Sequence, residues 1–132
     1  MLFRSEVDGL GVEAVPMYNL TRGPEAGKLF HDKGRGAGWV LSFAGTRVYV
    51  SGDTECTPEM KALTGIDVAF VCMNLPYTMP PKEAAACVNA FKPRVLLPHH
   101  FAVPGGATSD LRELDAALDP AARVEVRVRK WY

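Results

Sequence analysis

The sequence predicts a single α/β domain, and three patterns predict it. Residues 66–73 are nearly continuous apolar and β-branched, as expected for a strand covered on both faces. Pro81 then opens a helical stretch in which Ala84, Cys87, Val88 and Phe91 recur on one face. Lys92-Pro93 ends that stretch and residues 94–97 form the next buried strand. The three together make a β-α-β unit, most simply a right-handed parallel crossover. The third pattern is a hairpin: residues 39–43 and 46–51 flank Ala44-Gly45, a two-residue connection suited to a tight turn between twisted strands.

The other elements follow in chain order. Residues 1–10 have no strong period, and Asp8-Gly9 and Gly11 mark turns. Residues 12–15 alternate as a strand, which Pro16 limits or places at an edge. Residues 19–38 are polar, glycine-rich and aperiodic, and a loop that long inside a compact domain is commonly functional. Thr57-Pro58-Glu59 starts a short helix, with Thr as cap, Pro at the first position and an acid in the first turn, and Gly65 ends it. Ser109 or Thr108 caps a third helix with Leu111, Leu114 and Leu118 facing inward, and Val124, Val126 and Val128 alternate with charged residues in a last half-buried strand.

Composition narrows the function classes. With 48% hydrophobic and 23% charged residues among 132, the chain is one soluble globular domain over residues 1–132. Lys plus Arg equals Asp plus Glu at 15 each, so bulk charge makes no case for nucleic acid or an anionic membrane as partner. No apolar run approaches the ~20 residues of a membrane span. The start, Met1-Leu2-Phe3-Arg4-Ser5-Glu6, lacks an apolar signal core, and a cytoplasmic location is expected. Cys56, Cys72 and Cys87 are odd in number and widely spaced, which argues against a disulfide framework. Cys72 and Cys87 read as buried thiols, and Cys56, near the candidate site, as a loop thiol ahead of the alternative that it ligates or reacts.

Two strand ends carry the candidate chemistry. The run from Thr46 to Val50 delivers a Ser51-Gly52-Asp53-Thr54 corner, and the run from Arg94 to Leu97 delivers Pro98-His99-His100-Phe101. A carboxylate and an imidazole at neighbouring strand ends suit zinc, iron or manganese. His31, in the glycine-rich loop, could be a ligand, a general acid or base, or a contact to an anionic substrate; a solvated loop histidine is the plain alternative. The Lys33-Gly34-Arg35-Gly36 run could cradle phosphate through its amides, although no helix follows it and a flexible loop accounts for it equally.

These segments, together with Tyr77-Thr78-Met79 before Glu83-Ala84-Ala85, Lys92-Pro93, Val15-Pro16-Met17-Tyr18-Asn19 and His31-Asp32-Lys33-Gly34, resemble the metallo-β-lactamase-fold hydrolases. The resemblance implies an αββα sandwich with one or two metals at the edge of two sheets, of which this chain would be the C-terminal half: a mixed sheet with helices on one face. It implies Asp53 as the aspartate bridging two metals and His100, rather than His99, as the late histidine ligand. His99 and Thr54 would orient the ligands, Asp53 and His31 would serve the reaction, and Lys33, Arg35 and Tyr18 would meet the substrate. The family's His-x-His-x-Asp-His signature is absent, since the histidines are only His31, His99 and His100.

Two functions follow as expectations. One is a hydrolase of a small ester, amide or phosphoester, using a divalent metal, zinc ahead of iron or manganese. Its site would be completed by a homodimer or by a complementary N-terminal-half chain. The other is a catalytically inactive half-fold remnant or interaction module without metal.

Overall fold

The computed structural model describes residues 3–103 and 107–131; Met1 and Leu2, part of the stretch read above for a leader, lie outside them. Seven strands form one sheet in chain order: β1 (Arg4–Val7), β2 (Leu10–Pro16), β3 (Ala37–Phe43), β4 (Thr46–Val50), β5 (Val68–Cys72), β6 (Val95–His99) and β7 (Glu125–Val126). The first four pair antiparallel and the last four parallel, sharing β4. Local chemistry explains the change. Asp8-Gly9 and Ala44-Gly45 both adopt left-handed φ angles (49° and 80°, 48° and 75°), the geometry of the tight turns that reverse a twisted strand. After β4 the connections contain helices, which return the chain to the same end of the sheet.

The helices are α1 (Pro58–Lys61), α2 (Pro81–Phe91) and α3 (Leu111–Ala117). In α1 the Thr57 hydroxyl accepts from the Met60 amide, as the Thr-Pro-Glu signal predicts. Pro81, Ala84, Ala85, Cys87, Val88 and Phe91 of α2 are buried, and they meet Tyr49, Ala69, Val71 and Leu96 from alternate positions of the strands in one core that also takes in Met60 and Leu114. Phe91 sits edge-on to Tyr49 at a ring separation of 5.8 Å. The predicted mixed α/β sheet with helices is therefore the observed one.

Five details differ from the sequence reading. β1 is a strand although it lacks alternation: all four of its residues are exposed, so no core imposes a period on it, and pairing to β2 alone defines it. β5 is fully covered on one face, by the described residues, and only partly on the other, with Val68 and Phe70 half-buried while Ala69 and Val71 are buried; a continuous apolar run marks two faces that avoid water without showing what covers each. The cap of α3 is Asp110, whose carboxylate accepts from the Arg112 amide, rather than Ser109 or Thr108. Ser109 instead donates to the Met73 carbonyl at 2.6 Å. The last strand shrinks to two residues, leaving Val128 exposed. Finally, Cys56 and Cys87 form a disulfide, with Cα atoms 5.6 Å apart, while Cys72 is the free buried thiol. Wide sequence spacing hid this pair because α2 folds back over the loop that follows β4. Burial pushes the Cys72 thiol pKa up.

Candidate metal centre

The corner after β4 is built to project a carboxylate. Ser51 extends the strand through its amide to the Phe70 carbonyl, and its hydroxyl accepts from the Cys72 amide. Gly52 then turns the chain at φ 66°. A Cβ there would lie 2.6 Å from the Met17 sulfur, so both conformation and contact call for glycine. Asp53, next in line, is left partly open, its side chain 38% exposed.

His100 arrives from the end of β6. Its φ is 47°, a left-handed conformation that costs a non-glycine residue free energy and that clusters at functional sites. Its Nδ1 lies 2.8 Å from Asp53 Oδ1, and its Nε2 is 3.4 Å from the amide nitrogen of buried Asn74. The Asn74 side chain is fixed in turn by Thr78, whose hydroxyl donates to it and whose Oγ1 receives the Asn74 backbone amide.

His31 comes from the glycine-rich loop and completes the cluster. Its Nε2 is 3.7 Å from Asp53 Oδ2, while its Nδ1 is 2.8 Å from Asn19 Oδ1. Two imidazoles from separate segments thus converge on the two oxygens of one carboxylate, pairing the Asp53 and His100 picked from strand ends with the His31 picked from a loop.

The remaining sequence candidates lie elsewhere. His99 points across the sheet end, 3.4 Å from Ser51 Oγ. Burial, then the neighbouring His100, hold its pKa down against the pull of Asp53. It borders a cleft of about 400 Å³ with Val50, Phe70, His100 and Trp131. Thr54 is buried; its hydroxyl accepts from the Tyr18 amide and donates toward the Tyr18 and Glu55 carbonyls. Lys33 and the Tyr18 hydroxyl both bind the Glu59 carboxylate, at 2.7 and 2.8 Å, and the ammonium lies 4.9 Å from the Tyr18 ring centre. Arg35 is exposed, with Asp32 at 3.8 Å.

Sequence reading missed three residues around the site: Asn19, Asn74 and Glu55. An asparagine or glutamate in an irregular segment carries no periodic signal, and only its burial at 1%, 1% and 3% exposure marks these as chosen for partners.

A carboxylate and two imidazoles are the donor types that zinc, iron and manganese accept, and three protein ligands with an open position is the pattern of catalytic zinc. The wiring of His31 fits that use: its Nδ1 lies against an amide oxygen, and its Nε2 is turned toward the carboxylate. Among the described residues, no group of three or more His, Cys, Asp or Glu forms a ready-made metal cage. The donor set fits in type, as one part of a site.

Comparison with known proteins gives the family. Residues 4–101 match the family model for the beta-lactamase superfamily domain. A UPF0173 metal-dependent hydrolase of Anaeromyxobacter sp. (strain K) is 36% identical over 101 residues, covering 73% of this chain and 37% of the relative. Another, from Thermococcus onnurineus (strain NA1), is 31% identical over 124 residues, covering 91% and 53%. A crystal structure from Parabacteroides distasonis ATCC 8503, provisionally named a metal-dependent hydrolase, superposes with a TM-score of 0.83 at 37% identity over 98% of this chain and 56% of that one. Igni18, a metallo hydrolase of Ignicoccus hospitalis, shares the fold at a TM-score of 0.72 and 24% identity, over 97% and 55%. The chain therefore spans only 37% and 53% of the two curated relatives.

Proposed function

This chain belongs to the beta-lactamase superfamily, and we propose that it acts as a metal-dependent hydrolase in which Asp53, His100 and His31 hold a divalent cation, zinc ahead of iron or manganese. The observation that carries the proposal is the convergence of both imidazoles on the Asp53 carboxylate, 2.8 and 3.7 Å from its two oxygens. A divalent cation, when bound, supplies Lewis acidity toward a carbonyl or phosphoryl oxygen and lowers the pKa of water. The protein's own part is to fix those donors and to shape the approach. Asn19 and Asn74 hold the two rings. The cleft lined by Val50, Phe70 and Trp131 opens beside His100 and offers an apolar seat for a small ester, amide or phosphoester. Lys33 and Tyr18, set by Glu59, and Arg35 are the candidates for contacting its polar groups.

Three protein donors are few for a two-metal site, and the described residues cover the sheet face bearing the cleft only in part. Both features support completion by a second chain, either another copy or a complementary half. We place this activity in the cytoplasm, acting on a small molecule rather than on nucleic acid. The second reading, an inactive half-fold module without metal, is favoured by the lack of a ready-made cage among the described residues.

Elemental analysis after loading with zinc, iron or manganese separates the two readings. Stoichiometric metal that is lost in Asp53→Ala, with turnover of an ester, amide or phosphodiester panel, is the expected result. Folded protein that takes up no metal and turns over no substrate establishes the inactive module instead.

A further inference from the structure

Resting on the metal-site reading above, we infer that Asn19 is the positioning residue for His31, and that Thr54 and Glu55, the two residues after Asp53, brace Asn19. Asn19 is 1% exposed. Its Oδ1 receives both the His31 backbone amide at 2.7 Å and the His31 ring at Nδ1, 2.8 Å away, while its own amide donates to the Tyr77 carbonyl at 2.9 Å. The Tyr77 bond fixes which end of the Asn19 amide is oxygen, because only the nitrogen can donate to a carbonyl. An oxygen facing His31 Nδ1 requires a proton on that nitrogen. Neutral His31 is thereby held as the Nδ1–H tautomer, leaving the Nε2 lone pair toward Asp53.

Asn19 is itself held on both sides by the residues that follow Asp53. On one side the Tyr18 amide binds Thr54 Oγ1 at 3.1 Å. On the other, Glu55 Oε2 accepts from the consecutive amides of Leu20, Thr21 and Arg22 at 2.7, 3.1 and 3.1 Å. The Arg22 guanidinium then ties Glu55 to Glu83 at the start of α2. One short segment therefore sets both partners of the pair: Asp53 directly, and His31 through Thr54, Glu55 and Asn19. The brace acts together with the backbone bond from the Asn19 amide to the His31 carbonyl at 2.9 Å, so that both the main chain and the ring of His31 are held by Asn19.

Nitrogen-15 NMR of the histidine rings in metal-free protein tests this, with zinc titration alongside. Wild type is expected to show His31 protonated on Nδ1. Asn19→Asp, which keeps an acceptor, retains that tautomer. Asn19→Leu, which lacks one, shifts His31 toward Nε2–H and weakens zinc binding by about 10- to 100-fold. Should Asn19→Leu not fold, the wild-type and Asn19→Asp spectra still decide. A wild-type Nε2–H tautomer, or a folded Asn19→Leu with an unchanged His31 and unchanged zinc affinity, overturns the inference. If the tautomer responds as expected but no variant binds zinc, the positioning role stands and the metal-dependent reading fails.

Discussion

On the helix-covered face of the sheet, Val40, Tyr49, Ala69, Val71 and Leu96 are fully buried. Across the same strands, Trp39 and Phe43 keep 39% and 48% of their surface exposed, and Val48, Val50, Val68, Phe70, Val95 and Leu97 are only half-buried. The register aligns these second residues side by side, from Trp39 opposite Val50 through Phe70 to Leu97. One face carries a finished core; the other carries the composition of a core without its second layer. Trp131 covers part of it, its ring 6.1 Å from Phe70 and its indole N–H bonded to the Pro98 carbonyl. A contiguous apolar sheet face of this kind is where the proposed second chain would pack. The residues of the proposed metal site lie at the end of the sheet, with His100 bordering the cleft on that more open side.

The sharpest way to break this comparison is to truncate a residue on each face. Leu96→Ala should cost about 2–5 kcal/mol, as for other buried leucines. Phe70→Ala should cost less than Leu96→Ala in dilute protein if no second chain covers the face, because Phe70 is only half-buried and packs mainly on Trp131. Urea unfolding at two protein concentrations reads both. A concentration-dependent midpoint in wild type, abolished by Phe70→Ala, would instead show that a second copy covers the open face.

The next effect concerns the covered side alone. The Cys56–Cys87 bond ties the loop after Asp53 to α2 across a separation of 31 residues, so its reduction, or a Cys56→Ala, Cys87→Ala double variant, should lower stability by about 2–4 kcal/mol. Thiol titration in denaturant should find one thiol in oxidised protein and three after reduction. A smaller change, about 1 kcal/mol, is expected from Thr57→Ala, which removes the cap of α1; the shift in thermal midpoint measures it.

The smallest expected effect is one of pH. Burial opposes ionisation of Glu59, but the Lys33 ammonium and Tyr18 hydroxyl outweigh it and leave its pKa below the ordinary carboxylate value. The unfolded chain then binds more protons than the folded one as pH falls. The contribution is fully present above the unfolded pKa, about 4.3, and is lost on descending through the lower folded value. Urea unfolding at pH 7 and at successive lower pH values should show a shallower loss in Glu59→Gln than in wild type; equal slopes would contradict it.

Much of the fold could be read from pattern. The hairpin at Ala44-Gly45, the Thr57 cap, α2 and the parallel β5–α2–β6 unit follow from turn chemistry and apolar period, which act over a few residues. β1 and the Asp110 cap were not legible, since exposed pairing and competition among Thr108, Ser109 and Asp110 leave no distinct signal. The Cys56–Cys87 bond and the convergence of His31 on Asp53 were hidden for another reason: each joins segments whose separation in sequence says nothing of their distance.

Taken alone, the sequence determined the strand ends that carry Asp53 and His100, because glycine at position 52 and the apolar runs before each residue permit few other conformations. Tertiary structure decided what those residues meet. Only packing brings Asn19 against His31, sets Glu55 against three consecutive amides, and leaves one sheet face fully covered and the other covered only in part by the described residues. Those outcomes depend on hydrogen bonds and buried area between distant segments, and no local propensity encodes them.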